Sequence, residues 1–103
     1  MILYLSGAIT ENPSYMEDFS YAEKEVADAG HTPINPAAFH AKTHGLTYEQ
    51  MMDVDMALLD MANGIVMLAG WEKSAGANRE YGYALAKGLK VYALESLPNR
   101  YDQ

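Results

Sequence analysis

Hydrophobic positions along the chain fall into short apolar runs separated by longer stretches with helical spacing. The clearest run covers residues 64–69, which are too few for a buried helix and are apolar without alternation. That pattern is typical of a central strand covered on both faces of a parallel sheet. Similar runs predict further strands over residues 2–5, 31–35 and 89–94.

The stretches between these runs carry apolar residues at intervals of three and four, which is the spacing of amphipathic helices. The first predicted helix opens at Asn12-Pro13, a cap followed by a proline, and stops at Gly30. The second begins at Thr47, where the spacing to a glutamine three residues later is that of a capping box. The third begins at Ser74 or Ala75 and runs to Lys87.

Strands and helices therefore alternate along the whole chain, and residues 36–45 are predicted to be a turn and a loop. This order predicts a three-layer α/β sandwich with right-handed crossovers. Its sheet is small and mainly parallel, with four or five strands, in the manner of flavodoxin- or Rossmann-like folds. We expect residues 1–103 to form a single domain.

Composition excludes several classes of function. The 103 residues include no cysteine, which excludes disulfides and thiolate metal sites. A formal charge of −7 repels polyphosphate backbones, so nucleic acid is not an expected partner. The apolar start lacks the basic region of a signal peptide, and no apolar run is long enough for a membrane span. These features favour a cytoplasmic protein that does not bind membranes.

Two carboxylates fall on otherwise apolar helix faces, Asp55 in the second helix and Glu80 in the third. With Tyr4 from the first strand, they would converge if the predicted topology holds. A buried acid needs a partner or has a shifted pKa, and such acids cluster at working sites. The alternatives are a surface acid at the edge of the stripe for Asp55 and an ion pair with Arg79 or a lysine for Glu80.

Loops at the carboxyl ends of the first and central strands carry the other candidate contacts, because ligands bind at that edge of an open α/β sheet. Trp71 could stack on a ring or be an interface or core aromatic, which composition alone favours, and Ser74 could bind an anion or only cap the third helix. Glycines in these loops could allow close approach of a ligand or simply permit turns. The candidate substrate-binding residues are Ser6, Gly7, Trp71, Ser74 and Gly76.

The histidines do not indicate a metal site. His40 and His44 are four residues apart but lie in the predicted loop without an accompanying acid, so we interpret them as loop histidines. No metal and no cofactor is expected. The small sheet and the content of aromatic residues and methionine favour a homodimer or a larger homo-oligomer.

Three segments, YLSGAIT, MDVDMALLDMANGIVML and SAGANREYGYALAKG, together resemble the nucleoside 2-deoxyribosyltransferase superfamily, and in particular a small branch found in phages and bacteria. The resemblance implies that Glu80 is the catalytic glutamate at the anomeric carbon. It implies that Asp55 handles the leaving base and that Tyr4 orients Glu80. Ser74 matches the position at which nucleotide hydrolases of this superfamily bind a 5′-phosphate and its nucleoside transferases have an acid, which favours a monophosphate over a nucleoside.

The first loop departs from those hydrolases, since Ala8 and Thr10 stand where a serine and an arginine bind phosphate. We therefore expect cleavage of the N-glycosidic bond of a nucleoside or a (deoxy)nucleoside 5′-monophosphate, by hydrolysis or by transfer to another base. A raised pKa on Asp55 would suit protonation of the base. The alternative is a nucleotide-binding module that senses or sequesters its ligand without cleaving it.

Overall fold

The computed structural model describes residues 1–101, which form a four-stranded parallel sheet in the order β2-β1-β3-β4 with helices on both faces. Two turns of 3₁₀ helix follow β3 and β4, over Trp71–Lys73 and Leu94–Ser96. The elements in chain order are β1 (Ile2–Ser6), α1 (Tyr15–Asp28), β2 (Thr32–Ile34), α2 (Pro36–Lys42), α3 (Tyr48–Leu59), β3 (Gly64–Met67), α4 (Ala75–Ala86) and β4 (Lys90–Ala93).

The predicted three-layer α/β fold is confirmed, with four strands in a flavodoxin-like arrangement. Side chains of β1 alternate between the two faces of the sheet, because successive strand residues point to opposite sides. Leu3 and Leu5 pack in the core beneath α1, which includes Phe19. Tyr4 lies on the opposite face, in the core shared by α3 and α4. The position of Tyr4 follows from this alternation.

Residues 36–42 form the helix α2, so the predicted turn and loop over this segment were wrong. The Asn35 side chain accepts a hydrogen bond from the Ala37 amide at 2.9 Å, and Pro36 occupies the first helical position. Both features favour a helix start, but seven residues are too few to show helical periodicity clearly. His40 is consequently a helix residue and not a loop residue.

The other helix starts lie close to their predicted places. Thr47 accepts from the Gln50 amide at 3.1 Å while the Gln50 side chain accepts from the Thr47 amide at 2.9 Å, which confirms the capping box. Regular helix in α1 begins at Tyr15, two residues after the predicted Asn12-Pro13 start. Within residues 1–101, no helix combines the length and apolar character needed to cross a bilayer.

Candidate active site

A cavity of about 430 Å³ lies at the carboxyl end of β1, beside the point where the connections that follow β1 and β3 diverge towards opposite edges of the sheet. Ligands bind at such switch points because the loops that follow the two strands separate there. One wall is largely apolar and comes from the start of α3, with Tyr48, Met51 and Met52. The polar side chains that line the cavity are Thr10, Glu11, His40, Asp55, Lys73, Ser74 and Glu80.

Glu80 of α4 is bound by two residues of β1. The Tyr4 hydroxyl donates to Glu80 Oε2 at 2.5 Å, and the Ser6 hydroxyl donates to Glu80 Oε1 at 2.7 Å. Tyr4 and Ser6 are two positions apart on a strand, so both face α4. Because each carboxylate oxygen receives a hydrogen bond from a buried hydroxyl, the carboxylate is held in one orientation at the cavity.

Burial, with a smaller contribution from the charge of Asp55, raises the pKa of Glu80 to about 7 against the opposing effect of the Tyr4 and Ser6 hydrogen bonds. Burial also raises the pKa of the Tyr4 hydroxyl, to which the neighbouring charge of Glu80 adds. Glu80 therefore changes charge near neutral pH while Tyr4 stays protonated and continues to donate its hydrogen bond. A carboxyl with this pKa can serve as either a nucleophile or a proton carrier.

His40 of α2 is a second partner in the site that the sequence interpretation missed. Its Nε2 lies 3.0 Å from Asp55 Oδ1 and 2.9 Å from Oδ2, and both residues line the cavity. Asp55 is only 3% exposed, so this imidazole is the partner that a buried carboxylate requires. The interpretation of His40 as a loop histidine was wrong because it depended on the missing helix α2.

The remaining predicted contacts separate into two groups. Gly7, Ser74 and Gly76 line the cavity, and the Ser74 hydroxyl also caps α4 by accepting from the Ala77 amide at 3.1 Å. The other two predicted contacts, Ser6 and Trp71, do not line the cavity.

Ser6 is buried and its hydroxyl donates a hydrogen bond to Glu80. It therefore orients the Glu80 carboxylate and is not itself a cavity-lining contact for a ligand. The Trp71 ring packs 4.8 Å from that of Tyr81, outside the residues that border the cavity. Trp71 is thus a half-buried aromatic packed against the core on the α3–α4 side, which agrees with the interface or core alternative.

Residues 1–101 contain no group of three or more histidine, aspartate or glutamate side chains placed to bind a metal ion. What the site offers is an oriented carboxyl with a pKa near neutrality and an adjacent histidine–aspartate pair. The two acids and the imidazole all line the cavity, so a carboxylate oxygen and a hydrogen-bonded histidine–aspartate pair border the space that a ligand would occupy.

Comparison with known proteins gives a family and a fold. A family model described as a domain of unknown function (DUF4406) matches residues 1–93. The solved structure of a 2-deoxyribosyltransferase from the psychrotolerant bacterium Bacillus psychrosaccharolyticus is similar, with a TM-score of 0.72 and 19% identity over 90% of this chain and 71% of that chain. No curated protein matches. The resemblance seen in the sequence is thereby supported at the level of the fold.

Proposed function

Since the chain belongs to the family described as a domain of unknown function (DUF4406) and shares its fold with a 2-deoxyribosyltransferase, we propose that it cleaves N-glycosidic bonds. The substrate is a nucleoside or a (deoxy)nucleoside 5′-monophosphate. The observation that carries this proposal is the Glu80 carboxylate, held by Tyr4 and Ser6 at the cavity with a pKa raised to about 7.

Cleavage of this bond leaves positive charge on the sugar and an electron pair on the base. The ionised Glu80 oxygen attacks or stabilises the anomeric carbon as the C1′–N bond breaks, as the nucleophile does in retaining glycosidases. Water or a second base then displaces the carboxylate from C1′. Tyr4 and Ser6 keep the attacking oxygen in place without taking part in bond formation.

The departing base needs a proton or a hydrogen bond, because its nitrogen receives the electron pair. Asp55, paired with His40, is the group we assign to that task. His40 serves as a positioning residue that holds the Asp55 carboxylate and supplies a second exchangeable proton. Asp55 is therefore hydrogen-bonded to a histidine rather than isolated on an apolar helix face.

The test is chromatography of free bases after the protein is incubated with nucleosides and their 5′-monophosphates, with and without a second base. Base release that needs no second base indicates hydrolysis, and its exchange between two bases indicates transfer. Glu80→Gln should lower the rate at least about a thousandfold. Glu17→Gln, which changes an exposed acid of α1, is the matched control and should keep the wild-type rate.

Two outcomes would contradict the proposal, the first in its mechanism and the second in the activity itself. Equal rates in wild-type protein and Glu80→Gln would remove Glu80 from the mechanism. Binding of a nucleotide that is recovered unchanged after long incubation with stoichiometric protein would instead identify a sensing or sequestering module.

A further inference from the structure

The first turns of α3 and α4 lie side by side at one end of the cavity. Near these turns, Glu49 of α3 accepts from Arg79 of α4 at 2.7 Å, and just past the other end of α3, Asp60 accepts from Tyr83 at 2.5 Å. The two helices therefore run in the same direction. Their starts line the cavity together, and the two acids of the site lie further along the helices.

Tyr48 is an exposed aromatic ring at this end. It is the first residue of α3, lines the cavity and is 47% exposed. The Arg79 guanidinium lies 5.7 Å from the ring centroid and is fixed by both carboxylate oxygens of Glu49, at 2.7 and 3.3 Å. Arg79 does not itself line the cavity, so it supports the ring from outside and leaves the side that faces the cavity open to a ligand.

The Tyr48 hydroxyl borders a space that Gly76 leaves open. A methyl group on Gly76 would lie 3.6 Å from the Tyr48 hydroxyl, 3.9 Å from the Ser74 hydroxyl and 3.4 Å from the Met52 sulfur. The Ser74 hydroxyl accepts from the Ala77 amide, and this bond does not use its own proton. Two hydroxyl donors from different helices therefore flank one small space at the end of the cavity.

The distance of this space from the acids indicates which part of a ligand reaches it. In the proposed function, Glu80 faces C1′ and Asp55 faces the base. Tyr48 and Asp55 are seven residues apart on α3, which places them on one helix face and two turns apart, or ~10.5 Å. In a nucleoside the sugar ring separates the base from the 5′ oxygen. A ligand whose base meets Asp55 therefore extends its 5′ end towards Tyr48.

We propose that Tyr48 is a substrate-binding residue, whose hydroxyl donates to the 5′ oxygen of the ligand together with the hydroxyl of Ser74. Arg79 is the positioning residue that holds the Tyr48 ring for this contact. A 5′ oxygen has lone pairs for both donors and is present in a nucleoside and in its 5′-monophosphate, so the two substrates share the contact. The identity of the ligand rests on the proposed function.

The experiment measures binding without cleavage. Isothermal titration uses carbocyclic analogues of deoxyadenosine and thymidine, whose ring carbon in place of oxygen prevents formation of the oxocarbenium ion. Their 5′-deoxy forms and their 5′-monophosphates are titrated beside them. Tyr48→Phe should weaken binding of the nucleoside analogues and of the monophosphates roughly five- to tenfold, as expected for one lost hydrogen bond. The 5′-deoxy forms should bind both proteins equally.

Two further variants bracket this result. Tyr21→Phe removes the hydroxyl of an exposed tyrosine on α1 that does not line the cavity, so it should leave every affinity unchanged. Gly76→Ala fills the space between the two hydroxyls with a methyl group at ordinary contact distances, and alanine favours a helix, so the fold tolerates it. This variant should weaken binding of the analogues that carry a 5′ oxygen.

Arg79→Lys tests the positioning role. Lysine keeps the charge but cannot bind both Glu49 oxygens as a planar fork or stack on the Tyr48 ring in the same way. The variant should lower affinity for the nucleoside analogues and leave the 5′-deoxy forms unchanged, a selective loss that general loosening of the fold would not produce. In the Tyr48→Phe background the same replacement should have little further effect.

Three results would overturn the inference: unchanged affinities in Tyr48→Phe, equal losses for the nucleoside analogues and their 5′-deoxy forms, or no binding of any analogue. The first two can occur while base release persists, which leaves the proposed function standing. Conversely, binding that depends on the Tyr48 hydroxyl without any base release would contradict the enzyme and leave Tyr48 as a contact of a binding site.

Discussion

At the scale of single residues, the site depends on the Glu80 carboxyl. Its burial lowers the free energy of unfolding once the carboxyl must ionise. In Glu80 the pKa rises from 4.5 to about 7, so the folded protein keeps a proton that the unfolded chain releases. Below the lower value both states are protonated. Stability therefore falls as the pH rises through this window and is constant again above it.

Glu80→Gln mimics the protonated acid at every pH and gives the first prediction. Its free energy of unfolding, relative to wild type, should rise by about 3 kcal/mol between acidic and mildly alkaline pH. Urea denaturation across the pH range measures this difference, in which contributions from other titrating groups largely cancel. A difference that does not change with pH would show that Glu80 titrates normally in the folded state.

The pH dependence of catalysis should have the opposite direction, because attack requires the ionised carboxylate. We expect kcat/KM to rise with pH through about 7. Tyr4→Phe removes a hydrogen bond that lowers the pKa of Glu80, so this rise should move to higher pH. A loss of rate without movement of the profile would limit Tyr4 to a packing role.

At the scale of elements, α2 is the part of the fold that places His40 against Asp55. Asn35→Ala removes the cap of this short helix and should lower the free energy of unfolding by about 1 kcal/mol. Ser14→Ala is the matched control, because Ser14 occupies the cap position of α1 without a side-chain hydrogen bond. Denaturant titration of both variants checks the prediction, and equal losses would contradict it.

The cap variant also tests the link between α2 and the site. Loosening α2 should weaken the contact between His40 and Asp55 and lower kcat, whereas Ser14→Ala should keep the wild-type kcat. If Asn35→Ala lost stability but kept full activity, the histidine would have no role in the departure of the base.

The elements that were predicted correctly share a physical property. The strands and the three longer helices repeat their apolar positions often enough for the period to be recognised, and the Thr47 cap has a partner at fixed spacing. In contrast, α2 has seven residues, and its Asn35-Pro36 start is the same dipeptide that precedes α1. The Asn35 cap was a sequence signal for the start of α2, but seven residues are too few for a helical period to support it.

The predicted site residues show the same limit. Asp55 and Glu80 were found because an acid on an apolar stripe is visible in one segment of sequence. Their partners were harder to assign, since Ser6 and His40 meet them only through packing between separate elements. Trp71 was predicted to contact a ligand, but its ring packs against that of Tyr81. The sequence alone could not show whether a side chain or a ligand packs against this ring.

At the scale of the whole molecule, the fold brings together residues from distant parts of the chain. Tyr4 and Glu80 are 76 positions apart, yet adjacent parallel strands and one crossover place their side chains on the same face of the sheet. The cavity is thus a consequence of strand order. This explains why a fold predicted from local patterns also located the edge at which the site lies.

The layer formed by α3 and α4 leaves apolar side chains in contact with solvent near the ends of both helices. Met61 is 59% exposed and Leu85 is 53% exposed. Exposed apolar groups on neighbouring helices favour association, and identical chains associate most often as symmetric dimers. The homodimer expected from the sequence stays a prediction, and Met61 and Leu85 are the side chains on which this layer can be tested as its interface.

Light scattering after size-exclusion chromatography measures the oligomeric state directly. The double variant Met61→Gln and Leu85→Gln should shift the protein towards monomer. Tyr21→Gln is the matched control, since Tyr21 is 60% exposed on α1, on the opposite side of the sheet. Both replacements leave the net charge of −7 unchanged, so a change in overall charge cannot explain dissociation. Dissociation of the double variant alone would place the interface on α3 and α4. Dissociation of Tyr21→Gln alone would place it on α1.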